Sequence, residues 1–206
     1  MFDIMAKMKF YSLWLCLICI GVFILQLIIP GFTELFVLNQ TSWFQVWRFI
    51  TSIFLHASLL HLLYNLFALA LFGIILEKLI GSNKFLLVFF ASGIIANLIA
   101  VNFYDSSLGA SGAIYGILGC LAVIRPLMMI WAFGFPMPMF IAAILWVGAG
   151  VLGVFMPSNV GDIAHLSGIG VGFLIGLILR EWRRTKRELI RVPEGYMRIW
   201  ENNYMR

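Results

Sequence analysis

The sequence predicts an all-α polytopic membrane protein with six transmembrane helices and both termini cytoplasmic. Three observations lead there: the composition, the spacing of apolar stretches and the placement of basic residues. Of the 206 residues, 63% are hydrophobic and 11% charged, against about 45–50% and about 25% in soluble domains. A spanning helix needs about 20 apolar residues, and stretches of that kind fall at residues 10–29, 57–79, 85–102, 111–124, 137–155 and 164–180. The fourth is short. Arg125 and Pro126 blur its end, and the apolar run continuing through Trp131 reads either as a further helical turn or as a membrane-surface segment.

An even number of spans puts both termini on one side. Lys7, Lys9, Lys78, Lys84, Arg125 and the eight basic residues from Arg180 onward share one face, and an excess of Lys and Arg marks the cytoplasmic side. Of the fourteen basic residues only Arg48 lies opposite, with Glu34, Asp105 and Asp162. Topology thus explains the net charge of +5, and no nucleic-acid partner is implied. The run RRTKREL reads as an orientation signal or solvated tail able to touch anionic headgroups.

One membrane domain, residues 1–182, is expected, followed by a basic cytoplasmic tail, residues 183–206, with no linker or repeat. The first apolar stretch is of span length and lacks a small-residue cleavage site, so it is expected to be retained. The absence of an Arg- and Ser-rich leader suits a prokaryotic plasma membrane. Residues 30–56 form the one long connection. There Trp43, Phe44, Trp47 and Phe49, mixed with Gln40, Thr41, Gln45 and Arg48, suit a segment at headgroup depth. The PSNVG turn at 157–161 leads into the last span, where Asp162 is placed to cap the helix. Cys16, Cys19 and Cys120 fall inside spans and read as packing residues, with no disulfide or metal framework.

Polar groups inside spans are costly, so the few present call for an explanation. His61 and Asn65 lie near the start of the second span, Ser111 opens the fourth and His165 opens the sixth. Even-numbered spans run inward, so all four sit at similar depth in the outer half of the membrane. His61 and Asn65 share a helix face, as do Ser111 and Tyr115. His165 lies on the face of Gly168, Gly172 and Gly176, and Gly112 with Gly116 offers a matching small-residue strip on the fourth span. Joining the two strips brings Ser111 within reach of His165, the geometry a serine nucleophile needs from its base.

Each feature alone has a plain structural reading. Glycine strips pack helices, a serine after a loop caps a helix, and His61, Asn65 and His165 can be satisfied interhelical groups. Tyr115 either packs on the His165 ring or fills the core. The GASG run at 109–112 adds flanking glycines that leave the Ser111 hydroxyl uncrowded, beside a helix N-terminus whose free N–H groups suit an oxyanion. His61 and Asn65 could donate to the same oxyanion. No carboxylate lies in the membrane beside these groups, so a Ser-His dyad is expected. Asp162 and Asp105 read as cap and loop residues.

Together these residues resemble the rhomboid family of intramembrane serine proteases, across nearly the whole chain. The family's outer-loop Trp-Arg pair appears as Trp47-Arg48, its two histidines and asparagine as HASLLHLLYN (56–65), and its Glu-x-x-x-Gly feature as Glu77 to Gly81. Its nucleophile motif is GASG, and its last-span motif is AHLSGIGVG from Ala164 to Gly172. The resemblance implies a six-helix rhomboid-type bundle with Ser111 as nucleophile and His165 as base. It also implies His61, Asn65 and the Ser111 N–H as oxyanion donors, with Tyr115 stacked on His165. Inactive relatives lack the serine or the histidine, and both are present. The chain reads as a minimal core of the family.

The implied substrates are single-span or multi-span membrane proteins cut near the outer end of a helix, with the lipid bilayer as the other partner. No cofactor or metal is needed. Water would enter from outside through a pocket expected to be lined by His56, His61, Asn65, Ser106 and Ser107, with His56 near the interface. The fifth span and the link at 156–163 would form the gate. There is neither an HExxH motif nor a pair of intramembrane aspartates. A non-catalytic client-binding protein is the alternative, and a transporter a distant third.

Overall fold

The structure, a computed structural model, describes residues 8–155 and 161–190, with side chains through Glu181. Lys7, residues 156–160 of the expected gate and turn, and the tail beyond 190 lie outside the described residues. Of the RRTKREL run only the helical backbone is described.

Eight α-helices appear among the described residues: α1 (Tyr11–Ile28), α2 (Phe32–Phe36), α3 (Arg48–Thr51), α4 (Leu59–Ile80), α5 (Ser82–Ala100), α6 (Ser111–Ile124), α7 (Met139–Val154) and α8 (Asp162–Ile190). Four helical segments are long and apolar enough to cross a membrane, namely α1, α4, α5 and Asp162–Glu181 of α8. The other two apolar helices, α6 and α7, are shorter. Helix α6 is the axis of the core. Ten of its 14 residues are buried, from Gly112 to Val123, because α4, α5, α7 and α8 all pack around it. A helix apolar all round suits such a position.

The all-α expectation needs correction, since two small antiparallel ladders are present. Strand β1 (Leu38–Asn39) pairs with β2 (Ser106–Ser107), joining the long connection to the segment before Ser111. Strands β3 (Met129–Ala132) and β4 (Phe135–Pro138) form a hairpin between α6 and α7. The run through Trp131 is therefore not a further helical turn but one strand of a hairpin. Pro126, Pro136 and Pro138 disfavour helix there, and Phe133 (φ 53) with Gly134 (φ 90) makes the two-residue turn that suits a tight hairpin. Ile130, Ala132 and Met137 face the core, while Met129, Trp131 and Phe135 face outward.

The α4–α5 junction is tighter than the sequence suggests. Gly81, at φ +86, turns the chain in one residue, so α5 begins at Ser82 rather than near residue 85. A carboxylate sits beside this turn. Glu77 is fully buried and accepts from the Tyr11 and Ser12 backbone N–H groups, both at 3.0 Å, and from the Ser12 and Ser82 hydroxyls at 3.0 and 2.7 Å. It thus satisfies the free N-terminal donors of α1 from another helix, where negative charge is favoured. Exchanging Glu77 for Gln keeps the shape but removes the charge and converts one acceptor to a donor. That variant should lose about 2–3 kcal/mol, read as a lower thermal unfolding midpoint in detergent.

The same contacts set the charge distribution. Lys9, Lys78 and Lys84 gather at the α4–α5 turn, and Arg125 ends α6. All lie at the end of the bundle away from Ser111, because α4 and α6 start side by side, with Gly109 against the His61 ring.

Candidate active site

The packing of α6 on α8 builds the site. A Cβ added at Gly168 would overlap the Gly112 carbonyl, one at Gly172 the Gly116 carbonyl, and one at Gly176 would come within 3.2 Å of the Cys120 backbone. Backbone meets backbone along the whole seam, as the two small-residue strips suggest. Ser111 and His165, both in first turns, then face each other. The Ser111 hydroxyl and His165 Nε2 are 2.8 Å apart. The Tyr115 ring, one turn below Ser111, lies flat on the His165 ring, with centroids 4.3 Å apart and planes 4° from parallel.

Ser111 is not used as a cap. The N-cap position of α6 is Ala110, with no side-chain cap, so the first N–H groups of the helix stay available to a ligand. Gly109, at φ +118, has the His61 ring where a side chain would stand. Glycine is required there twice over, by the backbone angle and by the histidine. Asn65 is buried and donates one amide N–H to the His61 carbonyl at 2.8 Å, which leaves its second N–H free by chemistry. His61, Asn65, Ser111, Tyr115 and His165 all line one cavity of about 510 Å³.

The expected pocket needs two changes. Ser107 lines the cavity, but Ser106 and His56 do not. His56 is buried just ahead of α4, edge-on to the His61 ring at 5.1 Å. Its Nδ1 is 3.1 Å from the Phe54 carbonyl, so that nitrogen carries the hydrogen, and burial, with His61 beside it, pushes its pKa down to about 4. A neutral His56 thus packs edge-on against the His61 ring. Asp162 lies in the first turn of α8, with its carboxylate against Gly153 of α7. The Tyr104 hydroxyl accepts the Ile163 N–H at 2.9 Å.

A second set of contacts, not singled out from the sequence, fixes the segment leading to Ser111. Asn97, buried in α5, donates to the Phe49 carbonyl and the Ser52 hydroxyl, each at 2.9 Å, and accepts from Ser107 at 3.3 Å. The Ser52 carbonyl in turn accepts the Gly109 N–H at 2.9 Å. An asparagine inside an apolar stretch is the signal that could have found it. The long connection is braced likewise. Arg48 donates to the Glu34 and Val37 carbonyls at 2.8 and 2.7 Å. Phe44, Trp43 and Trp47 are exposed as expected of a headgroup-depth segment, but Phe49 turns inward onto Leu38 and Val101.

Residues 43–182 match the family model described as the Rhomboid domain. Over 158 residues, 73% of this chain, it is 31% identical to RHOMBOID-like protein 6, mitochondrial, of Arabidopsis thaliana, covering 51% of that protein. It is 37% identical over 135 residues to YdcA, a candidate rhomboid protease of Bacillus subtilis, covering 64% of this chain and 66% of that one. With Rhomboid protease GlpG of Yersinia pseudotuberculosis it shares 27% over 176 residues, 83% of this chain and 62% of the relative. The chain thus spans about half to two thirds of the length of these relatives.

Proposed function

Because the chain belongs to the rhomboid family of intramembrane proteases, we propose that it is a serine endopeptidase that cuts membrane-protein substrates at or near the outer end of a transmembrane segment. The observation that carries this reading is the 2.8 Å approach of the Ser111 hydroxyl to His165 Nε2. His165 takes the Ser111 proton as the Ser111 oxygen attacks the scissile carbonyl, then returns it to the leaving amine. The α6 N-terminal N–H groups and the side chains of His61 and Asn65 hold the oxyanion. Tyr115 fixes the imidazole plane. Water then hydrolyses the acyl-enzyme.

In this reading all six apolar helices span, both termini are cytoplasmic, residues 1–182 form the catalytic domain and residues 183–206 a basic tail. The clustering of Lys9, Lys78, Lys84 and Arg125 at one end supports that orientation, with the cavity opening on the outer side of a plasma membrane. The 14 residues of α6 reach about 21 Å, less than the hydrocarbon thickness of about 30 Å. Held at the bundle centre, such a helix leaves its serine below the outer surface, within reach of water from one side. Helix α7 is the natural gate. Only Met139, Ala142 and Gly150 of its residues are buried, and Trp146 meets Phe72 of α4 edge-on at 6.4 Å beside the cavity. Parting those rings opens a lateral way in from lipid.

Reconstitution of the purified chain with a single-span test substrate checks the proposal. Cleavage should occur, with mass spectrometry placing the new termini in the outer part of the substrate helix. Stable capture of intact substrate without cleavage would instead make this a client-binding protein on the same fold.

A further inference from the structure

A second cavity, of about 680 Å³, opens between α6, α7 and α8, within the range of about 300–1,000 Å³ that small-ligand sites occupy. It shares no residue with the catalytic cavity. Every side chain lining it is glycine, alanine, aliphatic or phenylalanine. Its floor is small, with Gly119 and Ala122 from α6 and Gly170 from α8, and Phe140, Ile144 and Phe173 form walls. A Cβ at Gly170 would meet nothing within 4 Å, so the groove exists partly because a side chain is missing there.

The register of α6 on α8 shows what stands at the end of this groove. Gly168 lies on Gly112, Gly172 on Gly116 and Gly176 on Cys120, a constant offset of 56 residues. One further turn puts Arg180 opposite Ile124, next to Arg125. Arg180 follows Phe173 of the wall by two turns and so continues a groove-lining face, and Arg125 is the residue that ends α6, three after Ala122 of the floor. Both are exposed. The apolar slot in the helix bundle thus has two exposed arginines just beyond its end.

We propose that this groove binds one anionic phospholipid from the leaflet at the Arg125 end, with an acyl chain along Gly119, Ala122 and Gly170 and the phosphate held by Arg125 and Arg180. Guanidinium groups pair with phosphate oxygens through two parallel hydrogen bonds, and basic pockets between transmembrane helices recognise anionic headgroups. An apolar helix of another protein would fill the slot but leave the arginines without a counter-charge, so the charge pattern favours the lipid.

Native mass spectrometry of the full chain in detergent, titrated with phosphatidylglycerol or phosphatidylcholine of the same acyl chains, tests this. One phosphatidylglycerol should be retained, roughly 10- to 30-fold more tightly than phosphatidylcholine, since each arginine near an anionic group contributes about fivefold. The Arg125→Gln/Arg180→Gln double variant should bind both lipids alike. Gly170→Leu occupies open space and should keep the wild-type unfolding midpoint while losing the retained lipid, although its basic tail is intact. Phosphatidylglycerol retained by Gly170→Leu as by wild type, or a preference surviving in the double variant, would assign the attraction to the tail and overturn the proposal. If Gly170→Leu leaves lipid retention unchanged but weakens capture of a test substrate, the groove belongs to a polypeptide.

Discussion

Ser111→Ala and His165→Ala are each expected to abolish labelling of the detergent-purified protein by a fluorophosphonate and to lower peptide hydrolysis by about 10⁴-fold or more. A serine hydroxyl is a weak nucleophile at neutral pH and needs a base within hydrogen-bond reach. His165 Nε2, at 2.8 Å, is the ring nitrogen in place to serve. The histidine variant is the more informative of the two, because it leaves the attachment point for the probe intact and removes only its activation. Tyr115→Phe keeps the stacked ring and should label like wild type, which separates a ring-positioning role from a proton-transfer role. Labelling that survives in Ser111→Ala would mean that the reactive nucleophile is another residue.

Gly172→Val should be nearly as damaging although it touches neither reacting group. A side chain there must stand where the Gly116 carbonyl is, with further contacts near 2.5 Å to the same backbone, and a helix backbone cannot rotate away as a side chain can. The helices must separate. Overpacking of this kind costs about 3 kcal/mol, and displacing His165 from Ser111 by about 1 Å can lower the rate about 100-fold. The paired readout is a lower unfolding midpoint and weakened fluorophosphonate labelling. Gly148→Ala, where added atoms meet nothing within 4 Å, is the control and should change neither.

Much of the site's placement is legible in the sequence because it depends on helical periodicity. Ser111 and His165 each open an apolar stretch, and the glycines four apart on both helices give the register that brings them together. The shared face of Ser111 and Tyr115 leaves the tyrosine either on the His165 ring or in the core, and only the family resemblance implies the stack. What the sequence hides has a common cause. The hairpin at 129–138 alternates as a strand should, but both of its faces are apolar, so no polar–apolar rhythm betrays it. The inward turn of Phe49 and the burial of His56 depend on loop contacts with no period. Asn97 gains its partners from Phe49, Ser52 and Ser107, groups 10 to 48 residues away in the chain, and such pairing is a matter of tertiary geometry alone.

Ser111 and His165, the proposed nucleophile and base, are separated by 54 residues, with the base on the last apolar helix among the described residues. A chain emerging from a ribosome at about 5–20 residues per second exposes Ser111 roughly 3 to 11 seconds before His165. On the proposed mechanism the serine has no activating partner throughout that interval, so the newborn chain is expected to stay unreactive while its own helices are still unpacked. Nascent chains stalled before Asp162 should therefore ignore a fluorophosphonate that the finished chain takes up. On that expectation the order of the helices itself delays the chemistry until the chain is nearly complete.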